Sequence, residues 1–239
     1  MYNNYNFNNY NNGFKTDTSY YSSDLAAYIS KVFAWMFAGL MLTGLTALYC
    51  VSSETMRWIY RPGVFMLLAL AQIIMVMSLS ARIHKMNFNT AVLVFMAYAV
   101  LNGLTLSSIF LVYTASSISY AFTVTALAFG IMSIYGYVTK TDLTRFGPML
   151  FMGLTGIIIL SIFGMFIPLS GVERFISIAG LFVFLGLTAY DTQRIKEFYY
   201  YTAGDIEASR KSAILGALKL YLDFINLFLI ILRFSGRRR

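Results

Sequence analysis

The chain has a single cysteine, Cys50, and a single histidine, His84, in 239 residues. One thiol excludes an intramolecular disulfide, and one thiol with one imidazole falls short of a zinc centre, so metal catalysis is not expected. Charge is scarce too: 12% of the residues are Asp, Glu, Lys or Arg, against about 25% in soluble domains. The N-terminus lacks the basic start and apolar core of a cleavable signal peptide, and the first apolar stretch is expected to act as the insertion signal. What fills the chain instead is apolar: 59% of it is hydrophobic and the mean hydropathy is +0.68.

Seven segments approach or exceed the roughly 17–25 residues that a membrane-spanning helix needs. They are Ile29 to Val51, Val64 to Ala81, Ala91 to Tyr113, Ala121 to Val138, Pro148 to Leu169, Phe175 to Asp191 and Ala213 to Leu232. Together they use most of the chain, which leaves no room for a soluble catalytic domain. The expectation is an all-α, polytopic membrane protein embedded in a lipid bilayer, with short connections except between the sixth and seventh spans. Residues 1–24 form an Asn/Tyr-rich tract without apolar period, expected as a disordered tail. Residues 25–233 form the membrane domain, and 234–239 a basic C-terminal tail.

The formal charge of +8 does not point to nucleic acid, because the basic residues sit at span ends and no soluble basic domain carries them. Seven spans place Lys15, Lys31, Arg82, Lys85, Lys140, Arg145, Arg194, Lys196, Arg210 and Lys211 on one side. Arg57, Arg61, Arg174, Arg233, Arg237, Arg238 and Arg239 fall on the other. Ten against seven puts the N-terminus in the cytoplasm by the positive-inside rule, and a bacterial inner membrane is the expected location. A re-entrant last segment, suggested by Lys219, Asp223 and Asn226, would instead return the terminal arginines to that side. Gly39, Gly44, Gly153, Gly156, Gly180 and Gly186 read as packing positions where helices approach closely. No sequence repeat marks an inverted-repeat transporter.

Two carboxylates stand within the last two apolar stretches, Asp191 and Asp223. A charge in hydrocarbon costs roughly 2.5 kcal/mol or more, so it is retained where it meets a partner, a wet cavity or an ion path. If the sixth helix continues to about Tyr199 and the seventh begins near Ser212, the two lie roughly 12 and 16 Å from the same face. Antiparallel neighbours then bring them together, where two carboxylates resist ionising together and share a proton. Such a pair also suits a hard cation such as calcium. Arg82, ending the second span on the same side, is a candidate latch for the pair or else a snorkelling anchor. Lys219 stands four residues before Asp223 and offers an intrahelical ion pair, while a shorter sixth helix would leave Asp191 at the interface. Asn102, Gln72 and Asn226 read as interhelical hydrogen-bonding groups.

Longer strings carry a resemblance. YDTQRI at 190–195 followed by ALKLYLDFINLFL at 217–229, with NGLTLSSIF at 102–110, Phe122 to Gly130 and YGYVTKTDL at 135–143, resembles the transmembrane Bax inhibitor motif, or Bax inhibitor-1, family over roughly residues 25–233. The resemblance implies seven helices with the last one central. It also implies a pH-sensitive calcium leak through an aspartate pair, here Asp191 and Asp223, latched by a basic residue of the second helix, here Arg82. The stretch Tyr199 to Glu207 looks inserted relative to that pattern. Some bacterial relatives are associated with a membrane-bound ATP-dependent protease, which gives the alternative of a membrane-anchored regulator without ion conduction.

Three rivals remain from other classes. An intramembrane aspartyl protease, presenilin-like, shares the Tyr-Asp of the sixth helix, but this chain has Tyr221-Leu-Asp223 where that family has Gly-x-Gly-Asp, and lacks its Pro-Ala-Leu motif. A retinal protein would explain Lys219, yet the third span carries no carboxylate counter-ion. A pure interaction protein would use its tail or loops. The reading adopted is a non-enzymatic cation leak with no cofactor, calcium being the ion carried.

Overall fold

Caps and helix breakers set the ends of the helices that the apolar runs call for. The computed structural model describes residues 8–52, 59, 61–166, 172–202 and 204–237. Helix α1 spans Asn8–Ser52, α2 Pro62–Arg82, α3 Phe88–Leu106, α4 Ala115–Val138, α5 Gly147–Phe166, α6 Val172–Tyr201 and α7 Ile206–Ser235. Proline opens α2, where its missing N–H costs nothing. The Asn87 side chain accepts from Thr90 N at 2.8 Å, Thr114 from Ser117 N at 3.3 Å, and Asp205 from Ala208 N at 3.0 Å. Each satisfies an N–H that the first turn of a helix leaves open. Helix α3 stops where the hydroxyls of Ser107 and Ser108 donate to Leu104 O and Thr105 O, offering the backbone an alternative to the helical ladder. A short turn of helix, Ile109–Val112, follows it.

Seven helices are long and apolar enough to cross a membrane, which bears out the all-α, seven-helix reading. Helix α1 begins at Asn8, inside the segment expected as a disordered tail; residues 1–7 lie outside the described residues. No proline interrupts 8–52, so a ladder nucleated in the apolar part propagates outward at little cost.

The last helix is the centre of the bundle. Two thirds of its apolar window is buried (67%), against 6% for α2, and it packs on α1, α3, α4 and α6. Buried Ile214, Leu218, Leu220, Tyr221, Leu227 and Leu232 face four neighbours at once. At about 1.5 Å per residue a 30-residue helix is roughly 45 Å long, longer than a hydrocarbon core of about 30 Å. Its C-terminal extension docks on the α3–α4 connection, with Arg237 N donating to Ser117 Oγ at 2.9 Å and Thr114 N donating to Arg237 O at 3.3 Å. Arg237 therefore lies beside a loop on the far side from the α6–α7 turn, and the re-entrant alternative does not hold.

The α6–α7 connection also departs from expectation. It is four residues, 202–205, because α6 runs on through Tyr201 and α7 starts at Ile206. Gly204, at φ 99°, supplies the left-handed residue that a tight turn after a helix needs. Of the inserted-looking residues, 199–201 and 206–207 thus lengthen the two helices, and 202–205 make the turn.

Interhelical contacts rest on small residues and a few polar groups. A Cβ at Gly39, Gly153, Gly180 or Gly186 would come within 2.7 to 2.9 Å of Phe95, Val183, Ile230 or Leu150, whereas Gly44 and Gly156 face open space. Two close approaches between helices were not anticipated: a Cβ on Gly136 would collide with the Ala189 backbone, and one on Gly103 would lie 2.6 Å from Thr43 O. The Tyr221 hydroxyl joins three helices. Thr43 spends its one hydroxyl hydrogen on Ala99 O at 2.9 Å, so Tyr221 donates to Thr43 Oγ1 at 2.7 Å and accepts from Asn102 Nδ2 at 2.8 Å. Phe95 and Tyr98 meet its ring edge to face.

Candidate functional site

The YDTQRI segment of α6 builds one wall of the site, and most of its side chains do structural work. Gln193 clamps the α4–α5 connection, accepting from Leu143 N and donating to Thr141 O, both at 2.8 Å. Lys196 donates to Tyr137 O at 2.6 Å and lies 5.3 Å from the Tyr137 ring. Arg194 pairs with Glu197 at 2.5 Å. Tyr190 meets Phe151 of α5 edge to face. These ties hold the end of α6 against its neighbours and leave one member of the segment, Asp191, turned into a cavity.

That cavity has a volume of about 560 Å³ and lies between α5, α6 and α7. Asp191 and Asp223 both line it, 7% and 4% exposed, so the expected pair is brought to one place within the membrane. Helix α6 continues ten residues past Asp191, roughly 15 Å, and the shorter sixth helix that would end at Asp191 does not form. Lys219 of α7 joins them, its Nζ 3.3 Å from Asp191 Oδ1 and 5.4 Å from the centre of the Phe198 ring. Its partner is therefore Asp191 across the helix interface, not Asp223 one turn along its own helix. Among the described residues, Asp223 Oδ2 is buried and has no hydrogen-bond partner.

Among the described residues, the ionisable ones lining the cavity are Asp191, Asp223, Lys219 and Arg233. Arg233 lies fourteen residues beyond Lys219, roughly 21 Å along the helix, in the last turn of α7. The lining runs from the acids to that turn, past Ser161 and Ser177, and stops at Lys219 in the other direction. Beyond Lys219 the bundle is tight. Ile195 and Ile214 are buried, and a Cβ on Gly216 would sit 3.0 Å from Ile195. The acids and the lysine form the inner end of a blind cavity.

Arg82 is not part of this arrangement. It is exposed at the end of α2 and does not line the cavity. Two residues on, His84 O accepts from Lys211 Nζ at 3.5 Å, which sets the end of α2 level with Lys211, two turns and roughly 12 Å from Lys219. The basic residue at the pair is Lys219. Asn102 and Gln72 do bridge helices, Gln72 Nε2 donating to Leu101 O at 2.9 Å and Thr105 Oγ1 at 3.0 Å. Asn226 instead donates within its own helix, to Leu222 O at 2.8 Å. Lys219 and Arg233 are the site residues that sequence reasoning did not assign to the cavity.

Comparison with known proteins agrees with this architecture over nearly the whole chain. The family model described as inhibitor of apoptosis-promoting Bax1 matches residues 25–239. The chain is 47% identical over 218 residues to the inner membrane protein YbhL of Escherichia coli (strain K12), covering 90% of this chain and 93% of YbhL. It is 44% identical over 214 residues to a protein of Borreliella burgdorferi, covering 89% and 92%, and 40% identical over 220 residues to RP147 of Rickettsia prowazekii, covering 92% and 93%. With the helix count, the central last helix and these matches together, the chain belongs to the Bax inhibitor-1 family of integral membrane proteins.

Proposed function

We propose that the protein is a slow cation leak, with calcium as the ion carried, in which proton occupancy of the Asp191–Asp223 pair sets the flow. The observation that carries this reading is the charge inventory of the cavity. Two buried carboxylates face one nearby ammonium, and Asp223 Oδ2 has no protein partner among the described residues. A second carboxylate left ionised without a counter-charge is costly in a low-dielectric site, so a proton or a passing cation supplies the balance. Protons and cations then compete for one place, which makes conduction depend on pH.

The site suits transit rather than storage. Calcium takes 6–8 oxygen ligands, and two carboxylates offer at most four, so water completes the shell and the ion leaves readily. The reading includes no catalytic turnover and no cofactor. Lys219 favours it over an aspartyl protease, since its ion pair occupies an oxygen that a catalytic aspartate would turn toward water. The proposed setting is a bacterial inner membrane, as YbhL's name states for that relative, with the N-terminus cytoplasmic and the blind end of the cavity facing the cytoplasm.

The test is calcium flux into liposomes carrying the purified protein, across a pH series, for the wild type and for Asp191→Asn and Asp223→Asn. A protein-dependent flux that varies with pH in the wild type and loses that variation in either variant is expected. Absence of flux at every pH from folded protein would contradict the reading. It would favour instead a membrane-anchored regulator of a membrane-bound ATP-dependent protease, acting through its loops or residues 1–24.

A further inference from the structure

We infer that Lys219 is a tethered counter-cation that fills the ion position of the cavity in the resting protein, so that an entering cation must displace its ammonium to reach the carboxylates. The inference rests on the leak reading and names the group that restrains it.

Four observations converge on this side chain. Its Nζ is 3.3 Å from Asp191 Oδ1, within reach of a direct ion pair across α6 and α7. It stands at the inner limit of the cavity, where the lining ends and the packed layer of Ile195 and Ile214 begins. The Phe198 ring lies 5.4 Å from the ammonium on α6, a distance at which an aromatic face attracts a cation. Asp223, one turn further along the same helix, keeps a buried oxygen without a partner among the described residues. The i,i+4 spacing places that carboxylate within the swing of the lysine stem. A flexible stem with a compact charge can move between two carboxylates. The ammonium thus has two stations: Asp191, where the structure holds it, and Asp223, one helical turn away. At the first it blocks the inner end and lends the cavity a positive charge that opposes cation entry.

The arrangement predicts which substitutions free the path. Lys219→Met keeps most of the stem and its packing but removes the charge, and it is expected to raise calcium flux and lower the half-saturating calcium concentration by about tenfold or more, the scale of one unit charge a few ångströms away. Lys219→Arg, which keeps the charge, is expected to stay near wild type, a rescue that a purely space-filling role would not give. Lys219→Met leaves Asp191 buried without its partner and can impair folding. The double variant Asp191→Asn/Lys219→Met removes both members of the pair and keeps Asp223. It too is expected to carry calcium faster than the wild type.

The measurement is calcium flux and its concentration dependence in proteoliposomes for these four proteins, each checked for a folded, monodisperse state in detergent. If the wild type conducts and both methionine variants match it in rate and half-saturation, the lysine is only structural and the inference is overturned while the leak reading stands. If no folded variant conducts at all, both fall.

Discussion

At the residue scale, one side chain decides the character of the cavity and another holds the helix that presents it. Asp223 carries a buried oxygen without a partner among the described residues, and two residues before it Tyr221 ties α7 to α1 and α3 through Thr43 and Asn102. Tyr221→Phe keeps the ring contacts but strands the Asn102 amide and one Thr43 lone pair. It is expected to cost about 1–2 kcal/mol, read from denaturant unfolding in micelles, with no loss of calcium flux at low denaturant. An unfolding midpoint equal to wild type would show that the hydroxyl network is dispensable. Asp191 and Asp223 were legible in the sequence because a carboxylate in an apolar run is too expensive to be incidental. Lys219 was visible, but its i,i+4 spacing drew attention to Asp223, since one strand of text shows neighbours along a helix and not across it. Depth held the missing signal: with the helix ends taken from the sequence, Lys219 lies roughly 10 Å and Asp191 roughly 12 Å from one face, nearer in level than Asp223 at roughly 16 Å. Arg82 failed for the complementary reason, because a charge at a helix end fits an anchor as well as a latch, and no local pattern separates the two.

At the element scale, the α4–α6 contact depends on Gly136, whose added Cβ would strike Ala189 backbone, while Gly156 on α5 faces open space. A backbone atom has no rotamer to yield, so Gly136→Ala is expected to destabilise by about 1–3 kcal/mol, and Gly156→Ala to be neutral. Equal unfolding midpoints for the two variants would contradict the close packing of α4 on α6. Glycine positions can be read from a sequence, but which of them meet backbone depends on helix rotation, and that explains why Gly103 and Gly136 were passed over. The α4–α5 connection adds a pH argument. Asp142, outside the spans, accepts from Thr144 N at 2.9 Å and Thr144 Oγ1 at 2.5 Å, and these bonds hold its carboxyl below its ordinary value of 3.8. A lowered folded value means that the cap's contribution is complete above the ordinary value and is lost as pH falls through the lowered one. Amide exchange at Leu143 and Thr144 is therefore expected to stay constant from pH 5 to 8 after correction for intrinsic rates. Loosening in that window would assign the pH response to this loop rather than to the cavity.

On the scale of the whole molecule, four of the other six helices pack on a last helix whose inner stretch is buried on nearly every side, and among the described residues the buried carboxylates of that packed core are those of the cavity end. The helix number and the central place of α7 followed from hydropathy and from the resemblance of five ordered segments. The long α6–α7 loop did not survive, because residues 199–201 and 206–207 belong to the two helices and leave a four-residue turn. Polar composition marks where a chain meets water, and a helix can continue past that boundary as easily as a loop. The architecture sets a membrane-wide consequence: the cavity reaches toward the end of α7, and the packed layer around Ile195 closes the other way. Ile195→Ala thins that layer, and it is expected to raise calcium flux severalfold while leaving the pH dependence in place, since the acids are untouched. A lower flux, or a lost pH dependence, would place the barrier elsewhere.

The charge excess of the cavity, two carboxylates against one adjacent ammonium, is tested most directly by counting protons exchanged for a cation. Calcium would be titrated into the purified protein in two buffers of different ionisation enthalpy, for the wild type and for Asp223→Asn. Proton release on calcium binding by the wild type, absent in the variant, is the predicted result. Binding without proton release, or equal release from both proteins, would contradict it.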